Sequence, residues 1–531
     1  MKVFNTTAVC VPSRHYMVDL SERVAEIRKL VEEGRYFAIN RARQYGKTTT
    51  INLLCQSLEP DHIVVSLDFQ DIEDGSFADG GEFSKAFARI ILDAQEFDGL
   101  VLPASIEGRF RELDEKASQE VKMDDLFRIF RYWFREETRP LVLIIDEVDS
   151  ATNNQVFLDF LAGLRSLYLK REKNRNAKTF QSVILAGVTD VKHLKNKIRP
   201  GDQHKVNSPW NIASDFDIDM SLSESGIQGM LEEYEADHHT GMNAAEMAHQ
   251  IREYTNGYPF LVSRLCQLID GNVAETCGDL SGAWTKTGLQ EAVKLLLSED
   301  NTLFQSLTGK LTNYPELKAS IRSILMEGTK LTWNAQQESI RQMQMYGLIR
   351  NEHNSVRIAN RIFETLLYNL FLSDEELKVN VFAREGELAK NIFVTDGKLN
   401  VRLILEHFIS TYHQVCGPLE DRFREKDGRE QFLLYLKPII NGTGNYYIEA
   451  QTRDQKRTDV IIDYLGQQYI IELKIWRGER YKEDGERQIC QYLDYFGLKT
   501  GYMLSFNFNK KKETGVKPVT IGDRLLYEGT V

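Results

Sequence analysis

The chain has 531 residues, too many for one hydrophobic core, so three or four domains are expected. Hydrophobic residues make up 42% and charged residues 27%, as in ordinary globular proteins. No apolar run approaches a membrane span and the N-terminus lacks a signal-peptide core, which predicts a cytoplasmic protein without a membrane partner. The net charge of -12 excludes a uniformly basic surface; residues 421–531 hold 19 Lys and Arg against 17 Asp and Glu, while the remainder holds 47 against 61.

The six cysteines are scattered and form no CxxC pair, which argues against structural zinc or a disulfide framework. Leu20 to Glu33 has helical periodicity, with Ser21 as the expected N-cap. Tyr36 to Ile39 reads as a strand, Arg41 to Thr48 as a loop and Thr49 to Leu58 as a helix. Further apolar strands are expected at Ile63–Phe69, Leu141–Ile145 and Ser182–Gly187, with a fifth at Phe216–Met220. Strands alternating with helices predict a parallel α/β sheet covered on both faces. Beyond Leu222 the pattern turns helical. Lys318 to Phe371 reads as two helices, a strand pair and a helix, with a wing turning at Asn354-Ser355. Glu375 to Asn400 is polar and reads as a connection.

The segment YFAINRARQYGKTTTINLL places Gly46-Lys47-Thr48 between a strand and a helix, the context of a phosphate-binding loop. Lys47 is expected to reach the β- and γ-phosphates of ATP, and Thr48 to ligate magnesium. The usual first glycine of the pattern is replaced by Arg41, which would reshape the loop and bring an arginine near the phosphates. The bland alternative is a plain helix N-terminus. LVLIIDEVDS ends an apolar strand in Asp146-Glu147: Asp146 suits magnesium, and Glu147 suits polarising the attacking water. The alternative there is a solvated acidic turn. Thr189 or Asp190, after the strand SVILAG, could sense the γ-phosphate, although a strand-end threonine is more often a cap or turn residue.

RTDVIIDYLGQQYIIELK, from Arg457 to Lys474, reads as a β-hairpin with Asp459 at its start. Strand alternation puts Glu472 and Lys474 on one face and Leu473 on the other. Two carboxylates and a lysine brought together suit a magnesium-dependent phosphodiester hydrolase: Asp459 and Glu472 hold the metal, and Lys474 steadies the nucleophile or phosphate. The alternative is a structural ion pair. The apolar neighbours Ile470 and Ile471 make these strands buried, and buried charges need partners. Asp463 shares the parity but lies at the far end of its strand.

NTTAVCVPSRHYMVDLSERV, the RARQYGKTTT loop, SPWNIA and GYPFLVSRLC together resemble the bacterial AAA-like ATPases of the STAND-related group, which often carry a C-terminal PD-(D/E)XK nuclease-like domain. In that family an arginine commonly stands where Arg41 does. The resemblance implies nucleotide contacts from Arg43, Gly46, Lys47, Thr48, Thr49, Asp146 and Thr189. It implies Arg264 as a nucleotide sensor and Arg199 as an arginine finger, each balanced by an ordinary surface role. In the nuclease superfamily a helix before the hairpin often supplies a further acid, here Glu430, and a glutamine often flanks the metal, here Gln488, on one helix face with Tyr492.

The expected fold class is α/β: a P-loop NTPase parallel sheet, a helical lid plus winged-helix module, and a C-terminal restriction-endonuclease-like domain. The expected segments are 1–222 (ATPase core), 223–300 (lid), 301–374 (winged helix), 375–410 (connection) and 411–531 (nuclease-like). The function implied is an ATP-regulated, magnesium-dependent nuclease acting on nucleic acid, DNA first, in bacterial defence or mobile-element control. The competing reading is a nucleotide-dependent signalling switch that forms homo-oligomers and uses an inactive nuclease fold for docking.

Overall fold

The computed structural model describes residues 2–174, 176–189, 191, 209–326, 329, 331–376, 381–395, 397–416, 425–440, 444–447, 460–465, 467–475, 486–487, 489–494, 496–507 and 513–531. The chain divides into two compact units, Met1–Met230 with Gln344–Gly347, and Leu231–Met343 with Leu348–Val531.

In the first unit four parallel strands, β1 (Tyr36–Asn40), β2 (Ile63–Asp68), β3 (Leu141–Asp146) and β4 (Ser182–Gly187), lie in the order β1-β4-β3-β2. Every residue of β3 and β4 is buried, as in parallel strands covered on both faces. The flanking helices include α1 (Ser21–Glu32), α2 (Lys47–Leu58), α3 (Gly80–Phe97), α4 (Met123–Glu136) and α5 (Gln155–Lys173). Helix α4 buries Leu126, Phe127, Ile129, Phe130, Trp133 and Phe134, a stripe at helical spacing. Its Phe127 meets Phe160 of α5 at 5.8 Å between ring centroids, and Phe160 meets Phe87 of α3 at 5.1 Å. This aromatic packing holds the three helices to one another.

Two local expectations change. Ser21 does not cap α1. The carboxylate of Asp19 accepts both the Ser21 amide (2.9 Å) and its hydroxyl (2.5 Å), so the serine donates instead. Residues 216–220 form no strand. Ser214 makes one parallel bridge to Phe37, its amide donating to the Tyr36 carbonyl at 2.8 Å, and then the ladder ends. The Arg41 side chain occupies carbonyls beyond it.

The helices of the second unit include α6 (Ala244–Thr255), α7 (Pro259–Leu268) and α8 (Lys286–Leu297). Helices α9 (Thr302–Asn313), α10 (Pro315–Met326) and α11 (Glu338–Met345) precede a hairpin of β5 (Ile349–Glu352) and β6 (Ser355–Ile358). Its turn sits one residue earlier than expected. His353 and Asn354 both have positive φ, 47° and 63°, as a two-residue hairpin loop requires. After α12 (Arg361–Glu376) come α13 (Val381–Ala389), α14 (Val401–Cys416) and α15 (Glu425–Ile440). The region expected as a polar connection is packed: Phe382, Phe393 and Leu399 are all buried, and the Leu399 amide donates to Tyr469 Oη at 3.0 Å. A few apolar residues at the right spacing were enough to dock it while the polar ones stay in solvent.

The chain ends in a six-stranded mixed sheet of β7 (Gly444–Tyr447), β8 (Val460–Tyr464), β9 (Gln467–Ile475), β10 (Thr500–Phe506), β11 (Gly515–Ile521) and β12 (Arg524–Thr530), in the order β7-β8-β9-β10-β12-β11. The expected hairpin is β8–β9, with Val460 opposite Ile471. One buried side-chain bond ties α6 to this sheet, and one half-buried ion pair ties α10 to α15. Tyr254 Oη donates to Asp463 Oδ2 at 2.8 Å, and Arg322 Nη2 pairs with Glu430 Oε1 at 2.8 Å.

A glycine tests the aromatic core. A Cβ at Gly163 of α5 would stand 2.2 Å from Phe127 Cζ. Alanine in a helix normally gains about 1 kcal/mol over glycine. Here overpacking reverses the sign, and Gly163→Ala should lower stability by about 1–3 kcal/mol in chemical denaturation. A variant as stable as the wild type would contradict this packing.

Candidate functional site

The first candidate site forms where β1 and β3 end. Residues 41–46 connect β1 to α2, and Gln44 (φ 55°) and Gly46 (φ 76°) make the left-handed turns. Arg41 is not among the positive-φ residues, so its position does not need glycine. Nor does its side chain lie with Lys47. Arg41 Nη2 donates to the carbonyls of Ile218 (2.8 Å) and Phe216 (3.4 Å), with the guanidinium 5.2 Å over the Phe216 ring. Burial lowers the Arg41 pKa against the pull of Tyr45, Asp219 and Asp217. The expectation of an arginine near the phosphates is therefore corrected: Arg41 fastens the 216–218 segment beside the sheet.

Gly46 is the N-cap of α2, and no side chain caps that end. The first-turn amides thus remain for another acceptor. Lys47 is only 5% exposed, and its Nζ donates to the carbonyls of Arg41 (3.1 Å) and Ala42 (3.2 Å). Burial pulls its pKa down, while Glu147, Asp146 and Asp149 pull it up. Thr48 Oγ1 donates to Asp146 Oδ2 at 2.9 Å. Thr49 Oγ1 accepts the Cys10 amide at 3.2 Å, which ties the N-terminal segment to α2. Arg43 stands exposed in the loop.

Asp146 ends β3, buried, and its Oδ1 accepts the Glu147 amide at 2.9 Å. Glu147 sits at φ 51°, ψ 41°, a left-handed conformation costly for a residue with a Cβ. That turn takes its carboxyl out of line with the strand. Burial pushes the Glu147 pKa up; Lys47 opposes this and Asp146 and Asp149 add to it. Asp149 was not singled out from sequence. Its two oxygens accept the amides of Val188 and Thr189, each at 2.7 Å. The ends of β3 and β4 are locked together by one carboxylate, and Thr189 is positioned by it. The repeated acid of DEVDS was the signal available. Asp190 and Arg199 lie outside the described residues.

The second candidate site is one face of the mixed sheet. Glu472 is 1% exposed, and Lys474 Nζ lies 3.0 Å from its Oε1. The two share a face, as strand alternation requires. Met503 stands in register between Glu472 and a further buried acid, Glu528. Asp459 and Gln488 lie outside the described residues. Glu430 is not brought to Glu472. It pairs with Arg322, and its helix α15 covers the opposite face: a Cβ at Gly428 would stand 2.7 Å from the Phe506 ring, whereas Ser505 shares the face of Lys474. The apolar stripe of Phe432, Leu433 and Leu436 chose that packing. Among the described residues, no three His, Cys, Asp or Glu side chains cluster to hold a metal. Arg264 Nε donates to Glu299 Oε1 at 3.0 Å, which gives it a structural partner. No described helix is long and apolar enough to cross a membrane.

A family model for an AAA-like domain matches residues 4–370. Among solved structures, a Walker-type ATPase of Pyrococcus abyssi aligns at 12% identity and TM-score 0.46, over 69% of this chain and 99% of that one. The Cdc6 protein of Pyrobaculum aerophilum aligns at 14% identity and TM-score 0.34, over 70% and 98%. The RuvB Holliday junction branch migration motor of Thermotoga maritima aligns at 12% identity and TM-score 0.32, over 68% and 96%. No curated protein matches. By the match over residues 4–370, the chain belongs to the AAA-like domain family.

Proposed function

We propose that the first unit binds ATP and hydrolyses it. One observation carries this reading: a buried lysine amine and a threonine–aspartate pair, Thr48 with Asp146 at 2.9 Å, stand together at a helix N-terminus that no side chain caps. Lys47 exchanges the carbonyls of Arg41 and Ala42 for phosphate oxygens, with Arg43, Gly46 and Thr49 beside the same loop. The oxygen donors of Thr48 and Asp146 fit magnesium, which is commonly held by one or two protein groups plus phosphates and water and neutralises charge on the transferred group. Glu147 orients water and accepts its proton, a role its raised pKa suits. Thr189, held by Asp149, contacts the γ-phosphate.

A second activity is supported by Glu472, almost wholly buried with Lys474 as its cation on the same sheet face. Here Asp459 and Glu472 hold magnesium, Lys474 steadies the phosphate and Gln488 assists, giving ATP-regulated cleavage of nucleic acid, DNA first. The segments 1–222, 223–300, 301–374 and 411–531 are then ATPase core, lid, winged helix and nuclease-like domain. The competing reading keeps the ATPase as an oligomerising switch and the C-terminal sheet as a docking module.

Lys47→Ala should abolish ATP binding in calorimetric titration. Glu147→Gln should bind ATP normally and hydrolyse it about 100-fold more slowly. Retention of binding by the first or of turnover by the second would sink the ATPase assignment.

Glu147 also makes a stability prediction. Its folded pKa lies above the ordinary carboxylate value, so the native state favours the protonated form. That stability is present at low pH and lost as pH rises through the folded pKa. Nucleotide-free Glu147→Gln should therefore melt above the wild type at pH 7. The gap should close as pH falls below the ordinary carboxylate range.

For the second activity, duplex DNA and magnesium are incubated with the wild type, Glu472→Ala and Lys474→Ala. Both variants should lose cleavage. Cutting by either at the wild-type rate removes these residues from the site, and no cutting of any nucleic acid by the wild type favours the docking module.

A further inference from the structure

The turn that follows β3 grips the exit of β4. Asp149 Oδ2 accepts the Val188 amide and Oδ1 accepts the Thr189 amide, each at 2.7 Å. Bonds from an amide to a carboxylate are charge-assisted and stronger than those between neutral groups. The two amides are consecutive, so the exit of β4 cannot shift without carrying Asp149 with it. The fit beside them is close. A Cβ at Gly187 would stand 3.0 Å from both Asp149 Oδ2 and Val148 Cγ2.

The next residue holds the other side. The Ser150 hydroxyl is shared between two carbonyls, Phe69 at 3.2 Å and Glu147 at 3.3 Å. Phe69 directly follows β2, so the turn Val148–Ser150 ties together the exits of β2, β3 and β4. Glu147 stands immediately before this turn. Its amide donates to Asp146 Oδ1 at 2.9 Å, and its carbonyl accepts from Ser150. A left-handed residue with a Cβ persists only where its surroundings over-determine it. Here that support comes from the same turn that grips Thr189.

We propose that Asp149 is a positioning residue that couples Thr189 to Glu147, so that the site distinguishes ATP from ADP. The proposal rests on the reading of the first unit as an ATPase, in which Thr189 contacts the γ-phosphate. With a nucleoside diphosphate Thr189 has no such contact, and Asp149 has nothing to pass on. Coupling free energies are reciprocal. If the γ-phosphate contact supports the Glu147 conformation through Asp149, that conformation in turn favours the triphosphate. Loss of the clamp therefore weakens ATP binding and spares ADP binding. A clamp that only ends the strand would affect both alike.

The test titrates the full-length chain calorimetrically, in magnesium, with ADP and with the non-hydrolysable β,γ-imido analogue of ATP. Asp149→Asn keeps one acceptor but turns an NH2 group toward the second amide, so one bond is lost. Gly187→Ala presses a methyl group on Asp149 Oδ2 without changing charge, and it tests the clamp even where Asp149→Asn does not fold. Each variant should bind the analogue about ten-fold more weakly and ADP as the wild type does. On a Thr189→Ala background, Asp149→Asn should cost no further analogue affinity, because it acts through Thr189. In either folded variant, equal weakening of both ligands or unchanged analogue affinity overturns the coupling, as do additive losses in the double variant. Those outcomes leave the ATPase reading standing. A wild type that binds neither ligand overturns both.

Discussion

Parallel strands bring their carboxyl ends to one edge, and the first unit depends on that constraint. Asn40 pairs with Gly187 and Asp68 with Asp146, so the chain leaves the sheet repeatedly at one rim. In an open α/β sheet this rim is where ligands bind. The uncapped start of α2, the Asp146 carboxylate, the turned Glu147 and the Asp149 clamp all lie there because of it. No separate scaffold has to assemble them.

The rim is held by polar contacts with definite jobs. Asp149 takes two amides from the exit of β4, and Arg41 takes two carbonyls from the 216–218 segment. Between them, the segments on both sides of β1 and β4 are tied to the site. The left-handed Glu147 is the strained element, and its half-buried acid is a second cost. Strain and burial at one residue are the pattern expected where stability has been given up for chemistry. Lys47 rests on carbonyls of its own loop, so its charge is solvated by the backbone.

In the second unit the sheet has two unlike faces. One is packed by α14 and α15 through Phe408, Phe432 and Phe506. The other carries Glu472, Lys474, Ser505 and Glu528, charged or polar yet largely buried. Burying that many polar groups requires mutual pairing or a ligand. The Tyr254–Asp463 bond does the same on a smaller scale where α6 reaches the sheet, which explains why an acid at the strand's far end is buried at all.

Strands, helices and the places of GKT, DEVDS and ELK on them were legible because they rest on local spacing and residue type. A period of two put Glu472 and Lys474 on one face, and the structure keeps them there, 3.0 Å apart. The loop's need for left-handed turns was legible too, though it is met by Gln44 and Gly46 and not at position 41. What sequence alone could not decide was partnership. Arg41 finds carbonyls 175 and 177 residues away, Glu430 finds an arginine 108 residues away, and Tyr254 finds an acid 209 residues away. Spacing says which face a side chain takes, but only the packed tertiary structure says what stands opposite that face. That is why Glu430 pairs with Arg322, and why the Asp149 clamp on the exit of β4 was not anticipated.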